Sequence, residues 1–340
     1  MRLERCLEED VFAELNRYVL ETQRRIAASA ASVMVVRDGV IVNEWYGGRH
    51  DHAEGSRPVD ADSQFNVASI RKTFLGFAAS LALHEGKLRS IDDPVAAYLD
   101  DVDEAVVANT TIRHLLTHTH GLLNPDQRLF PPGARWKYNN AGVHLLTRIV
   151  RKLYGLPLAR LIEERLFVPY GFTQTGWRTE PTDKLVWVGG SYASDRGEEA
   201  NMFASTQELA ALGYLHLTKG EHLGSRHAPP SVFERTTAVA SPAGLDDRWP
   251  RNGFFWQVQD KPRSFSELGE TLPAGSYQSL GMYGNALLVI PRHNVVAVRM
   301  LNQTERNPAG YDYLKDIKTF GDIALKCVMR MRDAAGRGTE

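Results

Sequence analysis

The sequence predicts an α+β fold: an antiparallel sheet built from N- and C-terminal strands, flanked by terminal helices, with a mostly helical block inserted between them. Three observations carry this expectation. A helix followed by strands opens the chain, strands followed by a helix close it, and apolar residues at helical spacing fill the middle from Ser69 to about Arg178. On this reading residues 1–340 form a single domain, with a sheet lobe at about 1–65 and 250–340 and a helical lobe at about 66–249.

The elements follow in order. Phe12, Leu15, Tyr18, Val19 and Gln23 recur at helical offsets within residues 11–26, which makes the opening helix amphipathic. Residues 32–36 and 40–46 are rich in valine and aromatics, and Arg37-Asp38-Gly39 between them is a tight hairpin signal. In the middle, strand signals nearly vanish. Ile91-Asp92-Asp93-Pro94 starts a short helix, residues 110–116 another, residues 141–154 a third that stops at Gly155, and residues 158–166 a fourth. Ser205 precedes an apolar run at 209–217, with Glu208 spaced to complete a capping box on it. Residues 254–259, 286–290 and 295–301 return to strand composition, the last two joined by Pro291-Arg292-His293-Asn294, and residues 311–330 close the chain as a helix. No internal repeat or low-complexity linker interrupts the pattern.

Composition narrows the function. Hydrophobic residues make up 43% of the chain, enough for a substantial core, and 40 Lys+Arg against 41 Asp+Glu leave a net charge of -1. No basic field points to nucleic acid or to an anionic membrane as a partner. Cys6 and Cys327 are too few for a disulfide framework and have no paired metal spacing, so both are expected as free thiols. The N-terminus is charged where a secretory signal needs a continuous apolar run, and no segment approaches membrane-spanning length, so a cytoplasmic location is expected. Nothing in the pattern bears on oligomeric state.

The chemistry centres on Asn66-Val67-Ala68-Ser69-Ile70-Arg71-Lys72. Ile70, Phe74, Phe77 and Leu81 trace one helical face, which puts Ser69 in the first turn and Lys72 one turn on, beside its hydroxyl. A serine attacks only when a base takes its proton, and a lysine serves as that base only with a depressed pKa. The positive end of the helix dipole and the neighbouring Phe65, Phe74 and Leu75 both act to depress it, while free N–H groups at the helix start hold an oxyanion. The plain alternative is a serine cap with its lysine in solvent. Ser69 is nevertheless the only serine in the chain followed at the third position by lysine.

Tyr138-Asn139-Asn140 follows the loop residues Pro131-Pro132-Gly133 and precedes a helix. A loop tyrosine can relay a proton to or from Ser69, and an asparagine amide can donate and accept toward substrate and Lys72. The structural alternative is that Tyr138 packs and Asn140 caps the helix. Tyr283-Gly284-Asn285 has the same pattern but stands at the entrance of a C-terminal strand, away from the block that contains Ser69.

Taken together, these stretches resemble the serine hydrolase family of class C β-lactamases, D-alanyl-D-alanine peptidases among the penicillin-binding proteins, and related esterases. Ser69-Ile70-Arg71-Lys72, Asp92-Asp93-Pro94-Val95, the stretch from Thr111 to Thr119, Pro132-Gly133-Ala134-Arg135-Trp136 and Tyr138-Asn139-Asn140 resemble family segments in the same order. The resemblance implies a β-lactamase/penicillin-binding-protein-like fold. It also implies Ser69 as acylated nucleophile, Lys72 and Tyr138 as acid/base pair, and Asn140 as the residue positioning substrate or Lys72. The expected substrate is a small ester, amide or peptide, and no metal or organic cofactor is expected.

The family's third element, Lys-Thr-Gly or His-x-Gly, has no Lys-Thr-Gly counterpart here. Ser279-Leu280-Gly281 occupies the matching position, with the Met282 N–H expected to join that of Ser69 in an oxyanion hole. The departure disfavours penicillin-type recognition and favours an esterase-type variant, with acyl transfer, β-lactamase or D-amino-acid peptidase activity and a non-turnover sensor as alternatives. Arg251 is a candidate for a substitute cation. His120 stands where many relatives have serine, and His118-x-His120 without a third ligand reads as a loop hydrogen-bonding feature instead of a zinc site. Gly189-Gly190-Ser191-Tyr192-Ala193 approaches a nucleophile elbow but lacks its last glycine and the following helix, so it reads as a loop.

Overall fold

Asp38 and Gly39 both take positive φ, 51° and 82°, the backbone that a two-residue hairpin needs to match the right-handed twist of its strands. Strand β2 (Ala30–Arg37) therefore turns directly into β3 (Val40–Gly48). The computed structural model describes residues 3–336, with side chains as far as Met331; Met1 and Arg2 of the charged N-terminal stretch lie outside them.

Both chain ends enter one sheet, as the sequence predicts. Its eight strands run in the order β1 (Glu4–Arg5), β3, β2, β8 (Val295–Leu301), β7 (Asn285–Ile290), β6 (Tyr277–Gly281), β5 (Gln257–Val258) and β4 (Arg251–Asn252). The closing pair is antiparallel, from Val295 opposite Arg37 to Leu301 opposite Ala31. The two-residue β1 is parallel to β3 and too short to leave any alternation in the sequence. The strand expected over residues 254–259 shrinks to Gln257–Val258. Phe255 takes φ 62° and gives its N–H to the Leu116 carbonyl, so the backbone leaves the ladder there.

Helices α1 (Glu9–Arg25) and α5 (Tyr313–Gly336) cover one face of this sheet. Phe12, Leu15, Val19, Phe320 and Val328 pack with Val33, Val35 and Leu288 into one apolar cluster. Buried Arg299 on β8 pairs with Asp316 on α5 at 2.8 Å, and Tyr18, Thr22 and Tyr311 also donate to that carboxylate, joining both helices to the sheet. The opposite face carries α4 (Thr206–Leu217), where a Cβ at Gly213 would come within 2.6 Å of Val296; only glycine lets the helix lie this close.

The inserted block contains α2 (Lys72–His84), buried on nearly every side, and α3 (Ala141–Tyr154), stopped by Gly155 at φ 69°. Two expectations change here. A four-stranded sheet of Thr175–Trp177, Met202–Ser205, Gln64–Asn66 and Leu185–Val186 lies in and beside a region that reads as nearly strand-free, because its strands are only two to four residues long. The capping box is half made. Ser205 accepts the Glu208 N–H, but the Glu208 carboxylate takes the Thr173 and Gln174 N–H groups and the Thr175 hydroxyl, anchoring the adjoining strand. The helix predicted at 158–166 begins as α over Leu158–Ile162 and widens to a π turn over Glu163–Phe167.

Candidate active site

Ser69 sits in a 3-10 turn, Ala68–Arg71, that leads into α2, one step earlier than the helical spacing indicates. Ala68 before it takes φ 48°, a conformation that costs a residue with a Cβ on the order of 1–3 kcal/mol. Asn66 holds the turn. Its Oδ1 accepts the Ala68 N–H at 2.8 Å while its Nδ2 donates to the Ala200 carbonyl and the Tyr192 hydroxyl. Strand β6 presses against the same turn: a Cβ on Gly281 would lie 2.4 Å from the Val67 carbonyl oxygen, so this approach needs glycine.

Three functional groups meet at this point. Lys72 Nζ lies 2.7 Å from Ser69 Oγ, the Ser69 and Tyr138 hydroxyls share a hydrogen bond of 2.6 Å, and Lys72 Nζ also bonds the Tyr138 hydroxyl. Lys72 is 3% exposed, and burial, aided by the neighbouring Arg71 charge, pushes its pKa down to about 6. Burial raises the Tyr138 pKa, opposed by the Ser69 hydrogen bond and by Arg71. Tyr138 is held from behind by its own loop, in which the Lys137 N–H donates to the His118 carbonyl and the Trp136 indole to Asn252. The His118 ring lies 4.8 Å from that of Tyr138.

A cavity of about 670 Å³ opens over this triad, and Ser69, Lys72, Tyr138, Asn140, Ser279, Gly281 and Met282 all border it. These seven residues, read from the sequence, are thus brought to one place. Asn140 differs in its contacts. Among the described residues its side chain makes no hydrogen bond, to Lys72 or otherwise, and the preceding Asn139 accepts the Ala141 N–H at the start of α3. Arg251 is not at the cavity. Its guanidinium is consumed by the carbonyls of Leu245, Asp246 and Trp249 and by Asp247, which fixes the loop before β4.

His118 and His120 are both kept neutral by burial, His120 with its pKa near 4. His120 Nδ1 accepts the Leu122 N–H, and its ring fills the space over Gly142 of α3. Among the described residues no group of three His, Cys, Asp or Glu side chains is placed to hold a metal ion. Ser191 lies in a loop at the mouth of a neighbouring recess that also touches Arg71 and Asn140.

The β-lactamase family model matches residues 15–317. The chain belongs to the β-lactamase family. It is 40% identical over 324 residues to an uncharacterized protein of Alkalihalophilus pseudofirmus, covering 92% of this chain and 95% of that one. It is 24% identical to esterase EstB of Burkholderia gladioli over 66% of this chain and 63% of EstB. Among solved structures, EstCE1, described as a hydrolase with promiscuous acyltransferase activity, superposes with a TM-score of 0.73 at 18% identity, over 92% of this chain and 99% of that one. The α+β, β-lactamase/penicillin-binding-protein-like fold expected from the sequence is therefore present.

This β-lactamase-family chain also places around the cavity residues that sequence reasoning passed over. Arg71 borders it together with Asn140 and Ala200, and the same three residues also border the neighbouring recess. Its Nε donates to the Glu199 carbonyl, and it forms no ion pair among the described residues. Glu267, Gln257 and Gln278 line the sheet side. Asn285, set aside in the sequence as the second Tyr-x-Asn match, is fully buried at the head of β7. A three-residue interval separates Asn66 from Ser69, but no spacing rule marks Glu267, which comes from an irregular loop.

Proposed function

We propose that this protein is a serine hydrolase that forms an acyl-enzyme on Ser69 and cleaves small esters or amides, with ester hydrolysis as the principal activity. The observation that carries the reading is the contact of Ser69 Oγ with both Lys72 Nζ and the Tyr138 hydroxyl, while burial holds the Lys72 pKa at about 6. At neutral pH Lys72 is then mostly the free amine, able to accept the serine proton.

In this mechanism Ser69 Oγ bonds the substrate carbonyl carbon as its proton passes to Lys72. The N–H groups of Ser69 and Met282 stabilise the oxyanion. Collapse breaks the bond to the leaving alcohol or amine, which takes the Tyr138 proton, and Lys72 returns a proton to Tyr138. Water then attacks the acyl carbon by the same relay in reverse. Asn140 borders the cavity without a competing partner and is free to bond the substrate.

The absence of a lysine at Ser279, together with the Glu267 carboxylate on the sheet side, supports esters over carboxylate-bearing β-lactams. Transfer of the acyl group to an alcohol or amine instead of water is the second reading, supported by the promiscuous acyltransferase activity of EstCE1. The test is intact-mass analysis after a fluorophosphonate or a slow acyl donor. One adduct is expected on the native protein and none on Ser69→Ala; an equal adduct on Ser69→Ala overturns the proposal. Product analysis with added methanol separates hydrolysis from transfer.

A further inference from the structure

The cavity over Ser69 has walls of opposite character. On the helical side Arg71 lies beside Asn140, whereas the sheet side carries the carboxylate of Glu267. Glu267 comes from the loop between β5 and β6; among the described residues it forms no ion pair, and the side chain's hydrogen-bond partner is the side-chain amide of Gln257 alone. A half-buried carboxylate with no cation beside it is an expensive arrangement, and burial accordingly raises its pKa.

The groups around it also keep unused hydrogen-bonding capacity. Gln257 and Gln278 face each other across β5 and β6 and are 8% and 1% exposed. Gln257 Oε1 and Gln278 Nε2 are both buried without a hydrogen-bond partner. Most buried polar groups in folded proteins are paired, so these two amide atoms, closed off behind the cavity lining on facing strands, keep bonding capacity that a turn of either amide toward the cavity offers to a ligand group. The orientation of a glutamine amide is assigned from its neighbours, and turning Gln278 about would present its oxygen instead. Trp136, Tyr138 and Tyr313 line the same cavity, adding aromatic surface that attracts a cation.

We propose that Glu267, Gln257 and Gln278 form a subsite for a protonated amine on the acyl donor, so that the preferred substrates are ammonium-bearing esters and amides. The chemistry matches: an ammonium carries three donors and no acceptor, against a carboxylate oxygen and side-chain amide oxygens. A substrate carboxylate directed to this wall meets repulsion from Glu267. The inference rests on the acyl-enzyme reading for its kinetic consequence but not for binding.

The experiment compares nitrophenyl esters with acyl chains of two to six carbons ending in ammonium, methyl or carboxylate, with spontaneous release subtracted. At the best-fitting length the ammonium ester is expected to exceed its methyl partner roughly tenfold to hundredfold in kcat/KM, the scale of a charge-assisted hydrogen bond. The carboxylate ester is expected to be the poorest. In Glu267→Gln, and to a lesser degree in Gln278→Met, the ammonium-to-methyl ratio falls toward one, mainly through KM. Calorimetry on Ser69→Ala supplies a readout without turnover: butylammonium chloride should bind where 1-butanol does not, and adding Glu267→Gln should abolish that binding. An ammonium preference absent at every length, or one that survives Glu267→Gln, overturns the subsite. If no ester is cleaved in a Ser69-dependent way, the acyl-enzyme reading fails and the calorimetry alone decides the subsite.

Discussion

Asn285 donates through Nδ2 to the Asn66 carbonyl at 2.8 Å, joining the head of β7 to the turn that presents Ser69. The same amide reaches the Met282 carbonyl at 3.3 Å, and Asn285 Oδ1 accepts the Leu301 N–H at 2.8 Å. One buried side chain thus links the two backbone segments whose N–H groups are assigned to the oxyanion, and both to the centre of the sheet. Its φ of -80° is ordinary, whereas Tyr283 and Gly284 before it turn at φ 74° and 93° to bring the chain around.

Asn285→Ala is therefore expected to act twice. It removes the partner of a buried carbonyl and of a buried N–H, which costs about 1–3 kcal/mol for each group left unsatisfied. It also releases the spacing between the Ser69 and Met282 N–H groups, so kcat should fall more than KM rises. Denaturant unfolding and steady-state kinetics on the same preparation check both effects. Native kcat in a destabilised variant would show that Asn285 holds the sheet and leaves the oxyanion donors unaffected.

Much of this was legible in the sequence because it rests on local periodicity and short spacing. The Asp38-Gly39 hairpin, α3 with its Gly155 stop, and the Ser69-Lys72 pair each depend on residues within a few positions of one another. What was not legible depends on groups distant in sequence. The Glu208 carboxylate satisfies its cap spacing on paper, yet three donors from residues 173–175 claim it. Arg251 opens β4, at the edge of the sheet whose β5 and β6 line the cavity, but the carbonyls of its own preceding loop take its guanidinium. Asn285 matched a catalytic pattern and proved to be a tie between strands, while Glu267 lies in a loop with no period from which burial can be inferred.

The pH profile should report Lys72. With its pKa held at about 6, below that of an ordinary lysine, the residue is protonated and unable to accept a proton below that value, and free to do so above it. The kcat/KM for a neutral ester is therefore expected to rise about tenfold per pH unit below about 6 and to level off above it. Burial raises the Tyr138 pKa, so its deprotonation should not limit the rate until well into the alkaline range. Tyr138→Phe should lower kcat by roughly 10²-fold or more, the usual scale of general acid–base catalysis, while the rise near pH 6 persists. A flat profile between about pH 5 and 8, a range in which an unperturbed lysine of pKa about 10.4 stays charged throughout, would assign the base elsewhere.

The last prediction concerns β-lactams. Penicillins and cephalosporins carry a carboxylate, and a carboxylate removed from water needs a cation or several donors to offset its desolvation. On the proposed correspondence with the family's Lys-Thr-Gly, the lysine is replaced by Ser279, which lines the cavity and supplies a hydroxyl but no charge. Arg251 is tied to its own loop, and Arg71 comes from the turn after Ser69 with its Nε already given to the Glu199 carbonyl, so neither is on β6, where that lysine would stand. Glu267 adds a like charge on the sheet side. Losing a charge-assisted partner worth about 1.5–3 kcal/mol should reduce selection for such substrates by roughly one to two decades. A neutral nitrophenyl ester is therefore expected to exceed a chromogenic cephalosporin in kcat/KM on the same preparation, and Ser279→Lys to narrow that gap. A clear preference of the native protein for the cephalosporin would mean that Arg71 swings across to hold the carboxylate, and Arg71→Ala should then abolish the preference.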